Sequence, residues 1–306
     1  MDSIKPKQLY NLIRGKKEFS LIDLREDGLF GKEHILFAVN IPLSHLEFLL
    51  ADLIPNRHVP IILCGKNEDS NLIEQGASML KEFGYKNISM LEGGIDGWQR
   101  EGFELFSGIN VPSKAFGEFV ELKYRTPHIC AEELSQMIES NKEVIVLDSR
   151  PMKEYQVMNI PGGINVPGVE LCYRISDLPI TTDTTVVVNC AGRTRSIIGT
   201  QSLINMGIRN KVVALENGTM GWRLAGKKLE FGGSLEFPKI SNNGRMLAKN
   251  RALSMIKKFK ITLVDAISAC EMMGDLDRTT YLFDVRDPFE FEEGHIPGSM
   301  PAPGGQ

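Results

Sequence analysis

Thr185-Val-Val-Val-Asn-Cys-Ala-Gly-Arg-Thr-Arg-Ser-Ile-Ile-Gly199 decides the fold of this chain. The β-branched run before Cys190 reads as a short strand buried on both faces. From Ile197 to Ile204 the pattern reads as the first turns of a helix. A cysteine therefore stands at the end of a strand, with Arg193 and Arg195 at the mouth of the helix that follows. Unpaired N–H groups at a helix start attract anions, and with two guanidinium groups they favour a thiolate. Cys190 is the candidate nucleophile. Gly192, Arg193, Thr194, Arg195 and Ser196 form the candidate anion pocket around it.

Outward from this stretch the chain repeats itself. Leu21-Ile-Asp-Leu-Arg25, Val146-Leu-Asp-Ser-Arg150 and Leu282-Phe-Asp-Val-Arg286 each read as a strand ending in Asp-x-Arg. The same eleven-residue step leads from Asp23 to His34, from Asp148 to Asn159 and from Asp284 to His295. Cys64 lies 41 residues after Asp23, and Cys190 lies 42 after Asp148. Leu80–Asn87 matches Leu203–Asn210, a helix closed by glycine. Leu91–Trp98 matches Leu215–Trp222, and both tryptophans read as core anchors of this last turn. A period of about 125 residues is domain-sized, so the repeat is a domain duplication and not a solenoid.

Short apolar strands alternating with helical stretches predict an α/β domain whose parallel sheet is covered on both faces. The expected organisation is a domain over 1–107 and a connector over 108–125 whose helix has Ser113 as N-cap. A second domain spans 126–230, a linker with a helix spans 231–259, and the first half of a third domain spans 260–306. The third cysteine would fall at about position 325, so the chain is expected to stop in mid-domain.

The 306 residues carry a net charge of −4, which gives no reason to expect nucleic acid or an anionic membrane as partner. No apolar run is long enough to span a bilayer, and the first residues lack a signal-peptide core. The five cysteines, an odd number without a Cys-x-x-Cys pair, argue against a disulfide framework or a structural zinc site and for a reducing cytoplasm. Cys130 and Cys270, in predicted helices, read as inert. Cys172 is a weaker candidate for resolving a persulfide as a disulfide. The Lys257-Lys-Phe-Lys260 cluster reads as a solvated helix end.

Asp-x-Arg, His-Ile-Pro-Gly, strand–Cys–loop–helix and Gly-x-x-x-Trp together resemble the rhodanese family, in particular its multi-domain sulfurtransferases, over essentially the whole chain. The resemblance implies tandem domains, each a roughly five-stranded parallel sheet between helices. It also implies a cysteine that carries sulfane sulfur as a persulfide, with no metal or organic cofactor. The implied substrates are a small-molecule donor such as thiosulfate and an acceptor that is cyanide, a thiol or a protein. In this frame Arg193 and Arg195 would hold the donor. Ser196 would cap the helix or donate to the sulfur. Arg150 would either reach the pocket or, as the favoured reading, pair internally with Asp148. The loop departs from a common family spelling by carrying Arg193 three residues after the cysteine.

Cys64 occupies the equivalent place in the first repeat, but its loop reads Cys64-Gly-Lys-Asn-Glu-Asp-Ser70. Asp69 stands where the second repeat has Arg195. Two carboxylates beside a thiol disfavour its ionisation and repel an anionic donor. The first domain is therefore expected to be a degenerate site. His34 and His295 read as structural, since the second repeat has Asn159 in their place. Two other functions compete with sulfur transfer. One is a non-catalytic interaction or sensing module. The other is a phosphatase or arsenate reductase, whose cradle is longer than the four residues between Cys190 and Arg195.

Overall fold

The computed structural model describes residues 1–303. The chain divides into two compact units, Met1–Pro112 with Val264–Tyr281, and Ser113–Leu263 with the segment from Leu282 onward. The last residues of the expected third domain, 304–306, lie outside the described residues.

The first unit holds five strands: β1 (Asp2–Ile4), β2 (Ser20–Asp23), β3 (Val39–Asn40), β4 (Ile61–Cys64) and β5 (Ile88–Leu91). They form one sheet in the order β1-β5-β4-β2-β3, with every pairing parallel. The second unit repeats the plan with β6 (His128–Ile129), β7 (Val144–Asp148), β8 (Ile164–Asn165), β9 (Thr185–Asn189) and β10 (Val212–Leu215), in the order β6-β10-β9-β7-β8. The expected five-stranded parallel sheets between helices are thus present twice. Of the third repeat, β11 (Leu282–Asp284) pairs in parallel with β12 (Ser299–Pro301).

The side-chain period of two sorts each strand between two cores. Val187 and Val146 join Ile129, Leu134 and Trp222 on one face. Val186, Val188, Ile145 and Leu147 join Leu171, Ile175 and Leu203 on the other. Fully burying such a side chain is worth roughly 1.5–3 kcal/mol, so both covering layers are strongly held. In the first unit Ile61 and Leu63 face one core while Ile62 and Cys64 face the other.

The helices after the two cysteines, Ser70–Glu82 and Thr194–Asn205, end at Gly84 and Gly207, whose positive φ angles of 91° and 73° suit glycine. The connector helix differs from expectation at its start. It runs Val111–Tyr124, so Ser113 lies inside its first turn rather than at the N-cap. Asn110, in the left-handed region at φ 56°, stops the helix from extending backward.

Trp98 and Trp222 are buried, and their indole N–H groups donate to the carbonyls of Glu104 and Lys228. His34 is likewise structural. Its Nδ1 lies 3.0 Å from the Phe30 carbonyl, and its ring stacks on Phe30. Among the described residues no helix is long and apolar enough to cross a membrane.

Candidate active site

The Asp-x-Arg repeat builds the floor of the second unit's site. Arg150 donates from Nε to Asp148 Oδ1 at 2.8 Å and from Nη2 to Asp148 Oδ2 at 2.7 Å. The same Nη2 reaches the Met158 carbonyl at 2.7 Å. Both side chains are buried. Arg150 is therefore committed to an internal pair, and its fork closes on Asp148 and the Met158 carbonyl. Arg25 with Asp23 and Arg286 with Asp284 form the same fork, reaching the carbonyls of Glu33 and Gly294.

The floor connects to the cysteine through Asn189. Its Nδ2 donates to Asp148 Oδ2 and to Thr219 Oγ1, both at 2.9 Å, and Thr219 Oγ1 donates to the Cys190 carbonyl at 3.2 Å. The Gly-x-x-x-Trp turn supports the loop from the other side. Thr219 N–H donates to the Cys190 carbonyl and Met220 N–H to the Ala191 carbonyl. Gly218 has φ 54°, and a Cβ there would lie 2.2 Å from the Cys190 carbonyl oxygen. Glycine is required on both counts. Gly218→Ala should destabilise the second unit by about 2 kcal/mol or more, and a shift in its urea midpoint measures this.

Cys190 is buried, with Sγ 3.6 Å from Ser196 Oγ. The Ser196 hydroxyl donates to the Arg193 carbonyl at 2.8 Å. Its single proton is thereby used, so Ser196 accepts from the thiol instead of donating to the sulfur. Nor does it cap the helix, because Thr194 is the first helical residue and Arg193 holds the N-cap position. Gly192 and Arg193 shape the turn. Among the described residues the backbone N–H groups of Ala191, Gly192 and Arg193 have no protein acceptor. Thr194 packs against the connector helix, where a Cβ on Gly117 would come within 2.9 Å of Thr194 Cγ2.

The two loop arginines have partners that the sequence reading did not name. Arg193 donates to Glu118 at 2.7 and 3.3 Å and also to Glu121, both on the connector helix. Arg195 makes a bidentate pair with Glu154, both bonds 2.8 Å. The Arg195 hydrogen bonds foremost hold the Glu154 carboxyl below the usual range; burial opposes them, and the charges of Arg195 and Arg150 add to the lowering. The same bond raises Arg195, whose charge also couples to Cys190 and Asp148. The expected positive rim is thus counted out by one more carboxylate than guanidinium. Glu154 had one available signal: it lies six residues after Asp148, where the first repeat has Leu29 and the third Glu290.

The first unit differs in the same places. Cys64 is buried, and its thiol is pushed well above the usual range by burial first and by Asp23 second, with Arg25 opposing. The sequence reading put the cause in Glu68 and Asp69. Asp69 instead turns back on the loop, where its Oδ2 accepts from the Lys66 N–H at 2.6 Å. Asp96 accepts from the Asn67 N–H at 2.9 Å. Two N–H groups of this loop are therefore taken by the chain's own carboxylates, whereas their counterparts at Gly192 and Arg193 stand open. Cys172 is partly buried in the helix Gly168–Arg174, and burial raises its thiol to about 11, which makes it a poor attacking thiol at neutral pH. Cys130 precedes a helix and Cys270 lies exposed in one.

Comparison with known proteins gives the family and the overall fold. The Rhodanese-like domain family matches residues 5–101, 131–225 and 262–305. A crystal structure of a thiosulfate sulfurtransferase from Pseudomonas aeruginosa is 44% identical, with a TM-score of 0.96, over 100% of this chain and 58% of that one. An HTH-type transcriptional regulator of Mycobacterium tuberculosis is 37% identical over 29% of this chain and 39% of its own length. An uncharacterized protein of Synechocystis is 30% identical over 36% of this chain and 59% of its own. The chain spans less than two thirds of the length of each of these relatives.

Proposed function

The chain belongs to the rhodanese-like domain family, and from that membership we propose that its second unit is a sulfurtransferase acting through Cys190. The observation that carries this reading is the open cradle. A cysteine directly follows β9, and the N–H groups of Ala191, Gly192 and Arg193 have no protein acceptor among the described residues. Such groups, at the N-terminus of a twelve-residue helix, suit the sulfonate end of thiosulfate.

The reaction is a double displacement. The Cys190 thiolate attacks the outer sulfur of thiosulfate, and a sulfur–sulfur bond forms as the donor's own breaks. Sulfite leaves with the electron pair. The terminal sulfur of the persulfide then passes to cyanide, a thiol or a protein cysteine, and the thiolate returns. Sulfur is both cargo and nucleophile, so no further reactant is needed. The domain boundaries proposed are 126–230 for the catalytic domain and 1–107 for a degenerate one, with 260–306 the first part of a third. The four residues between Cys190 and Arg195 favour sulfur over the wider phosphatase cradle. A reducing cytoplasm fits the reduced state that the persulfide cycle requires.

Mass spectrometry of the protein after exposure to thiosulfate tests the proposal. The peptide holding Cys190 should gain the mass of one sulfur atom and lose it on addition of cyanide. An unmodified Cys190 peptide in a folded chain would favour an interaction module instead.

A further inference from the structure

The guanidinium best placed for the donor already holds an anion. Arg195 spends its two-pronged fork on Glu154, with 2.8 Å to each carboxylate oxygen. That fork is the geometry a sulfonate or carboxylate of a donor would ask for. We propose that Glu154 is an internal stand-in for the donor, so that donor binding is a partner exchange on Arg195 and Glu154 sets the site's preference among anions. This rests on the sulfurtransferase reading above and specifies the substrate charge that the site accepts.

Arg195 is the arginine whose charge couples to Cys190, and magnitudes separate it from Arg150 and Arg193. Arg150 is 2% exposed and paired with a carboxylate as buried as itself. Breaking such a pair leaves an uncompensated buried charge and costs roughly 3–5 kcal/mol, so Arg150 does not exchange. Arg193 is shared between Glu118 and Glu121, and these belong to the helix whose Gly117 packs on Thr194. It is braced on two sides and acts as a positioning residue for the loop. The Arg195–Glu154 pair differs from Arg150 in being open to water, with Glu154 43% exposed and Arg195 22%, and from Arg193 in resting on one carboxylate instead of two among the described residues. An ion pair so open to water is worth about 0–1 kcal/mol. An incoming anion that also meets the open N–H groups of the loop can displace it.

The repeat supports the pairing. In the first unit, where Asp69 replaces Arg195, Leu29 replaces Glu154. The carboxylate is thus present in the unit with the guanidinium and absent where a loop carboxylate stands instead. In the first unit that loop carboxylate does literally occupy a cradle N–H, at Lys66. One chain therefore holds two carboxylates bound at its cysteine loops, one on a backbone N–H and one on a guanidinium. The first comes from within the loop. The second comes from the helix Met152–Val157 and is exposed enough to leave.

The sign of the prediction is opposite to that expected if Glu154 merely aimed Arg195. Glu154→Gln keeps the shape but removes the competing charge. The KM for thiosulfate should fall about threefold, since the pair it replaces is worth of order RT. The gain should be smaller for the monoanion 3-mercaptopyruvate than for the dianion thiosulfate. Adding Arg195→Met should erase the gain, because no guanidinium remains to be freed. A second assay needs no sulfur transfer: sulfate should protect Cys190 from iodoacetamide, and its half-protecting concentration should fall by the same factor in Glu154→Gln. A KM and a half-protecting concentration that stay level or rise would overturn the proposal. Should the chain lack transferase activity altogether, the sulfate assay still decides the role of Glu154 by itself.

Discussion

Cys190→Ser will reduce thiosulfate-to-cyanide transfer to the uncatalysed background, whereas Cys64→Ser will keep most of it. The hydroxyl of serine cannot carry sulfane sulfur, so the loss is of the covalent step itself. A drop of at least about a thousandfold is expected, equivalent to roughly 4 kcal/mol in the barrier. Cys64 is buried, its thiol is shifted upward by that burial and by Asp23, and its loop N–H groups are occupied by Asp69 and Asp96. Steady-state rates of the two single variants decide the matter. Activity that survives in Cys190→Ser and vanishes in Cys64→Ser would reverse the assignment of the two units.

Arg150→Met will destabilise the second unit more than any substitution at the rim. It strands Asp148, 1% exposed, with only Asn189 and the backbone N–H of residue 150 for company. The cost of removing one partner from a buried pair is about 3–5 kcal/mol, and the second unit's melting transition should fall by roughly 10 °C. Calorimetry on the full chain resolves this, with the transition of the first unit as internal reference. Adding Asp148→Leu should recover part of the loss, because two apolar groups leave no uncompensated charge. A melting transition unmoved by Arg150→Met would show that the pair does not hold the floor of the site. Activity should fall along with stability, since the floor reaches the Cys190 carbonyl through Asn189 and Thr219.

Much of the fold was legible because it is written in local order. Val186, Val187 and Val188 alternate between two cores, and that alternation is a property of consecutive residues. The eleven-residue step from Asp to the following loop recurs three times, and the Asp-x-Arg fork forms each time with nearly identical distances. Gly218 was visible within a repeated turn, but its job was not. Its contact with the Cys190 carbonyl exists only after β9 and β10 pair.

From order along the chain alone came the duplicated α/β units, the cysteine at the end of the central strand and the internal Asp148–Arg150 pair, because periodicity, turn chemistry and near-neighbour hydrogen bonds act over a few residues. Only the tertiary structure decided what the loop arginines do. Glu154 stands 41 residues from Arg195, and Glu118 stands 75 from Arg193. Coulomb attraction depends on distance in space, and folding supplies that distance by laying two helices beside a cradle whose charge in sequence looked wholly positive.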